Sequence, residues 1–286
     1  MVRRDIMGKF MKYEIRGTYK FISGILLIVL IASTILQINL LNISSPMPNL
    51  FITLSVVLIF GAFITSAFYI IGSFRKELYE DRGYLTFTLP LSGNQILGSK
   101  LLVALLWSAL LGIVPVLYNI LLGSILFDFT WFEELKHLLS MIDSSVYAQI
   151  TSVIIMSLLS GVMTILLVYF SIALSRVSIR NKKVGGLWFI IFLLLNGILT
   201  YTAIKLTAAL PYYLDLSTFK IVSGDFWGNN MIMGPSSSFM SAGDSGMMMA
   251  YGNAIFLNIA ANIFYLVVII GSFLGTGYLI ENKIDL

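Results

Sequence analysis

Residues able to do chemistry are few in this chain, and most of the familiar constellations fail on inspection. There is a single histidine, His137, and no cysteine, so disulfides, thiolate metal sites and a cysteine nucleophile are excluded. Glu133-Glu134 beside His137 invites a metallopeptidase reading, but such a centre needs a second histidine-bearing ligand cluster. They read better as the polar face of a short helix. No Ser-His-Asp set can be assembled either. The phosphate-cradling pattern G-x-x-x-x-G-K-[ST] is absent, because Gly8-Lys9 and Gly98-Ser-Lys100 lack its spacing and its preceding strand. The chain is expected to be no enzyme, to hold no metal or cofactor, and to hydrolyse no ATP itself.

One polar segment stands apart, Phe74 to Leu102. Its first part, with Arg75, Lys76, Glu77, Tyr79, Glu80, Asp81 and Arg82, predicts a charged helical turn ending at Gly83, which readily takes a left-handed cap geometry. Tyr84 to Leu89 alternates larger apolar side chains with Thr86 and Thr88, which predicts an extended piece. Pro90 stops a helix there. Ser92-Gly-Asn-Gln95 has capping-box form and restarts one. Glu77, Glu80, Asp81 and Arg82 around Tyr79, Tyr84 and Leu85 would give a docking surface of aromatic anchors with a charged rim.

The elements that must hold this elbow are set by hydropathy. From Phe21 to Phe74 no side chain is charged, too long a stretch for one core helix, and a bilayer takes about 20 apolar residues per crossing. Hydrophobic residues make up 58% and charged ones 11% of 286 residues, against roughly 25% charged in an ordinary soluble domain. The runs predict an all-α, polytopic integral membrane protein forming a single transmembrane domain, with helices at 21–43, 50–74, 101–127, 148–174, 184–204 and 254–280. Every Lys and Arg except Lys136, Lys205 and Lys220 falls on one side of that layout, while acidic residues divide evenly. The positive-inside rule then places both termini and the 75–100 elbow in the cytoplasm. The net charge of +4 is thus an orientation signal with a polybasic attraction to anionic lipid, and nucleic acid is not an expected partner.

Other segments carry weaker signals. Ile6, Met7, Phe10, Met11 and Ile15 lie at helical spacing opposite basic residues, which predicts an amphipathic interfacial helix over 1–20 leading into the first span. Thr130-Trp-Phe-Glu133 is a second capping-box form, followed by an apolar stripe of Trp131, Leu135, Leu138, Leu139 and Ile142, so a short outer helix is expected. The extracytoplasmic segment 205–253 contains Met231, Met233, Met240 and Met247-Met-Met249. Flexible thioethers make an adaptable apolar surface; packing against the span ends is the favoured reading, substrate contact the second, and Cu(I) binding a distant third. Tyr212, Tyr213, Trp227 and Tyr251 suit the headgroup level. Gly271-Ser-Phe-Leu-Gly275 has the spacing that lets helix backbones approach closely.

The passage Leu78-Tyr-Glu-Asp-Arg-Gly-Tyr-Leu-Thr-Phe-Thr-Leu-Pro90, continued by Gln95 and Ser99-Lys-Leu-Leu102, resembles a signature of the type-2 ABC permease family, the membrane subunits of bacterial export-type ABC transporters. The motif covers residues 74–102, and the six-span layout extends the likeness loosely over the chain. The resemblance implies a multi-pass protein of the bacterial plasma membrane, paired with a second permease copy as a homodimer and with two ABC ATPase subunits that bind ATP and Mg. It further implies that Glu77, Tyr79, Glu80, Asp81, Arg82, Gly83, Tyr84, Leu85 and Thr86 couple to the ATPase. Arg176, Arg180, Lys182 and Lys183 form a candidate second coupling loop, with a purely topological basic loop as the alternative. Permeases exporting amphipathic or antimicrobial peptides, phenol-soluble modulins among them, are the nearest in kind. An exporter of lipid or small hydrophobic drugs, or a peptide-immunity or sensor protein without transport, remains open.

Because the chain lacks cysteine, topology can be read from single introduced thiols. Thr86→Cys should react with an impermeant maleimide only when the cytoplasmic face is exposed, and Ser237→Cys only from the opposite face. Labelling of Thr86→Cys in intact cells would reverse the orientation.

Overall fold

The computed structural model describes residues 2–41, 48–79, 90–126, 136–137, 140, 144–178, 186–223, 248–251 and 254–283. Among the described residues, six long helices carry the chain: α1 (Val2–Leu41), α2 (Pro48–Tyr79), α3 (Gly93–Leu126), α4 (Ser144–Ser178), α5 (Leu187–Ala209) and α6 (Ile259–Asn282). All six are long and apolar enough to cross a membrane. Their outer faces leave Phe60, Leu121, Leu194 and Val267 more than half exposed, which water would penalise at about 25 cal/mol per Å² of apolar surface. Hydrocarbon does not. The chain is an all-α, multi-pass membrane protein.

The helices form two compact units, residues 1–141 and 142–285. In the first, Ile22, Ile25 and Val29 of α1 pack with Ala62 of α2 and with Val103, Trp107 and Leu111 of α3. The amphipathic segment at the N-terminus runs into the first span without a break, giving one helix of 40 residues, about 60 Å long. Met11 and Ile15 lie against the same core cluster, so the apolar stripe of that segment reaches the helical unit. At the far end of α1, Thr34 bonds the Tyr118 hydroxyl at 2.6 Å, and Gln37 Nε2 donates to Asn119 Oδ1 at 2.7 Å. Asn119 also donates to the carbonyl of Pro115, one helical turn back, where the proline has already removed a backbone donor from α3.

In the second unit Met163 and Leu167 of α4, Ala203 of α5, and Ala261 and Tyr265 of α6 form the core. A Cβ added at Gly275 would stand 3.1 Å from the Phe170 ring, so this glycine of the small-residue motif is where α6 comes close to α4. No Cβ contact within 4 Å arises at Gly271.

The sequence reading missed a four-stranded antiparallel sheet here, in the order β2-β1-β4-β3. Its strands are β1 (Tyr212–Asp215), β2 (Ile221–Ser223), β3 (Met248–Tyr251) and β4 (Ala254–Asn258). Residues 254–258, expected to open the sixth span, are therefore a strand, and the helix starts at Ile259. A short apolar run such as Ile255-Phe-Leu257 fits a strand as well as a buried helical turn. Asn258 settles the switch. Fully buried, it pairs with Tyr213 in the sheet, accepts from the Ala261 N–H at 2.8 Å to cap α6, and donates to the Leu210 carbonyl at 3.1 Å. Tyr212, Tyr213 and Tyr251 lie in these strands, whereas Trp227, Met231, Met233, Met240 and Met247 lie outside the described residues. So do most residues of the expected outer helix, of which Lys136, His137 and Ser140 are described as helical.

The β1–β2 turn is held by Asp215. Its carboxylate accepts from the Ser217 hydroxyl at 2.6 Å, the Thr218 hydroxyl at 2.7 Å and the Ser217 N–H at 2.8 Å. The Ser217 hydroxyl, more than any other group, holds this acid below the usual carboxylate range, with Thr218 assisting and burial opposing. A lowered folded-state value means the turn is stabilised while Asp215 is ionised. That contribution is expected to be full above about pH 4, the unfolded carboxylate value, and lost as pH falls further, through the folded-state value. Protection of residues 212–223 against hydrogen exchange, taken relative to the intrinsic amide rate at each pH, should fall over that descent, and Asp215→Asn should flatten the response.

Candidate functional site

Lys100 begins as a puzzle for physical chemistry. It sits two turns into α3 with a side chain only 3% exposed, and a buried ammonium demands compensating charge. Helix spacing supplies it. Glu14 on α1 and Glu77 on α2, with side chains 14% and 13% exposed, approach Lys100 Nζ at 2.6 Å and 2.9 Å. Ser73, one turn before Glu77 on the same face, accepts the third ammonium hydrogen at 3.2 Å and donates its own hydroxyl hydrogen to Glu14 Oε1. Lysine has three donors, and here all three are used. The Phe10 ring closes the site with its centroid 5.9 Å from the ammonium.

A second layer fixes the first. Thr18 donates to the Glu14 carbonyl at 2.9 Å and accepts from Trp107 Nε1, also at 2.9 Å. Tyr69 stacks on Phe21 with ring centroids 4.0 Å apart. Side chains from three helices, two of them from α2, therefore meet at a single ammonium, and each helix is held again a turn or two deeper.

The clamp lies where α2 ends and α3 begins. Helix α2 ends at Tyr79, two residues beyond Glu77. Helix α3 starts at Gly93, with Ser92 as its cap: the Ser92 carbonyl accepts from Gln95 and Ile96, and Gln95 Oε1 accepts from the Ser92 N–H at 3.1 Å. The expected Gln95 half of the capping box is present. Glu80, Asp81, Arg82, Gly83, Tyr84, Leu85 and Thr86 lie outside the described residues, as do Arg180, Lys182 and Lys183. Tyr79 is half-buried at the end of α2, and Arg176 is half-buried in the last turn of α4, where a cation suits the helix dipole. Glu77, expected on a charged docking rim, turns onto Lys100 instead. The reason is electrostatic: with Glu14 alone the buried ammonium would lack its second carboxylate.

Sequence reading did not find Glu14. The available signal was an acid on the apolar-flanked side of a basic helix, seven residues before an uncharged run, which composition alone cannot pair with a lysine far along the chain. Among the described residues no three His, Asp or Glu side chains gather as a metal site. What the cluster can do is mechanical and electrostatic: it locks three helix ends around one ammonium and two carboxylates beside a cavity. Comparison with protein-family models, curated proteins and solved structures finds no match to this chain.

Removing one partner of a buried ion pair costs about 3–5 kcal/mol, while replacing all members by apolar groups of like shape is close to neutral. Lys100→Met should therefore lower the thermal unfolding midpoint in detergent sharply, because Glu14 and Glu77 then repel. The triple variant Glu14→Met, Glu77→Met, Lys100→Met should recover most of that loss.

Proposed function

We propose that this chain is the membrane subunit of an ATP-driven exporter in a bacterial plasma membrane, moving amphipathic peptides outward. In this reading it works as a pair with a second copy and with two copies of a separate ATPase, which supplies the ATP and Mg chemistry. The observation that carries the reading is the Lys100 clamp at the roots of the 80–92 loop. A loop that only joined two spans would need no buried ion cluster beneath it. One that receives a push from a partner does, since motion passes through a packed, fully bonded body and is dissipated by a loose one.

Tyr79, Glu80, Asp81, Arg82, Gly83, Tyr84, Leu85 and Thr86 supply the contact with the ATPase. Glu77 acts from beneath, holding the root of α2 to α1 and α3. Arg176, Arg180, Lys182 and Lys183 offer a second, weaker contact. The long lipid-facing helices and the uncharged interior of the spans suit a cargo that first partitions into the inner leaflet and enters sideways.

Reconstitution tests this. Co-purified with its ATPase in proteoliposomes, the chain should move an amphipathic helical peptide only when ATP is present, and the double variant Tyr84→Asp, Leu85→Asp should abolish movement and ATPase stimulation together. Peptide movement by the chain alone would defeat the proposal. ATPase stimulation by lipid or small drugs, with peptides inert, would move the cargo to another class.

A further inference from the structure

The sheet of the second unit sits at the level where α5 stops. Ala203 of α5 shares a core with Met163 of α4. From Ala203, α5 runs six residues further to Ala209, about 9 Å. From Met163 toward the start of α4, Met156 lies seven residues on, about 10 Å. Met156 and Val153 are where α4 receives Leu214, Leu216, Ile255 and Leu257 of the sheet and its first turn. The sheet is therefore seated level with the end of α5, where an apolar span gives way to headgroups. Lys205 marks that level again: it is exposed on α5 with its ammonium 5.6 Å from the Tyr201 ring centroid, as long cations and aromatic rings settle near headgroups.

At this level the sheet shows apolar surface. The register sets Ile221 opposite Leu214, so both project from the face that packs on α4. Leu214 is half-buried there, whereas Ile221, on the edge strand β2, overhangs and is 66% exposed. The β1–β2 turn adds Phe219, 64% exposed. Among the described residues Phe219 alone is a non-glycine with positive φ, 54°, a conformation that suits Gly, Asn or Asp. The turn holds it there all the same. The Phe219 N–H donates to the Asp215 carbonyl at 2.7 Å, and the Asp215 carboxylate accepts from Ser217 and Thr218 on the way round. A bulky ring kept in that backbone geometry is presented outward, and exposed Lys220 follows it directly.

We propose that the β1–β2 hairpin is an interfacial anchor: Phe219 and Ile221 enter the boundary between headgroups and acyl chains in the leaflet where α5 ends, and Lys220 meets lipid phosphate. An aromatic and an aliphatic side chain beside a cation is the composition that boundary takes. At the same level α4 exposes Ile154 and Ile155, so the overhang continues a surface that already faces lipid. The anchor fixes the depth of the sheet over α5 and α6, and it does not depend on the export reading.

Nitroxide labels on the full chain test this in mixed phosphatidylcholine and phosphatidylglycerol vesicles. Phe219→Cys and Ile221→Cys, each in the otherwise cysteine-free chain, should collide more with dissolved oxygen than with a water-soluble nickel chelate. The depth read from that ratio should be about 5 Å below the phosphates, with Leu194→Cys on the exposed flank of α5 as the deep reference. A nitroxide is itself apolar, so a second variant separates the hairpin's depth from the label's. Phe219→Asn, which suits a positive φ, should leave the unfolding midpoint no lower and move the Ile221→Cys label out toward water. Preferential collision with the nickel chelate at both positions overturns the proposal. So does shielding from both reagents, which would put another part of the chain, a second copy or a peptide over the hairpin. An Ile221→Cys depth indifferent to Phe219→Asn overturns it as well.

Discussion

An ammonium taken out of water at the end of a helical bundle must be answered by charge and by hydrogen-bond acceptors, or it will not stay. Lys100 is answered by Glu14 from α1, Glu77 from α2 and the Ser73 hydroxyl one turn below. Because each acceptor comes from a helix other than its own, the three helices can meet at this level in only one register. Sliding α1 by a single residue would swing Glu14 away by about 100° around its axis and strand the lysine. Apolar packing of Ile22, Ile25, Val29, Val103 and Trp107 beneath it supplies attraction but tolerates such slips far better. The ion cluster is therefore chiefly a device for register, in keeping with the small net stability that buried ion pairs confer.

Register at this end is matched at the other. Gln37 with Asn119, and Thr34 with Tyr118, tie α1 to α3 a second time, some 20 residues further along both helices. Two polar fastenings with an apolar stretch between make α1 and α3 a parallel pair that moves together, with α2 joined at the Lys100 end. In the proposed transport cycle this is what lets force applied at the 80–92 loop enter the membrane through three helices at once. Glu77 then belongs to the mounting of the loop and not to its contact face. In the second unit Asn258 plays a comparable joining part, fastening the sheet, the end of α5 and the start of α6.

The spans were legible because lipid imposes a crude, long-range demand on composition that a single chain cannot hide: uncharged runs of the right length. Helix restarts were legible where local chemistry sets them, as with Ser92 and Gln95. The sheet was not. Its strands are three to five residues long, and Ala254–Leu257 is apolar enough to read as the start of the adjoining helix. What decides it is pairing with residues some 40 positions earlier, Tyr213 to Asp215, which no local pattern reports. The clamp was hidden for the same reason. Lys100 counted as one more topological cation and Glu77 as a loop charge, because the burial that binds them to Glu14 is a tertiary event.

The clamp's role as the fastening of three helix ends can be measured directly in the isolated chain. Spin labels at Tyr13 and Asn94, both exposed at the clamp end of α1 and α3, report the separation of those ends by pulsed dipolar spectroscopy. A narrow distance distribution is predicted for the otherwise native chain, and a markedly broader one when Lys100→Met is added. Equal widths in the two would contradict the account, because the clamp ends of α1 and α3 would then be held by packing alone.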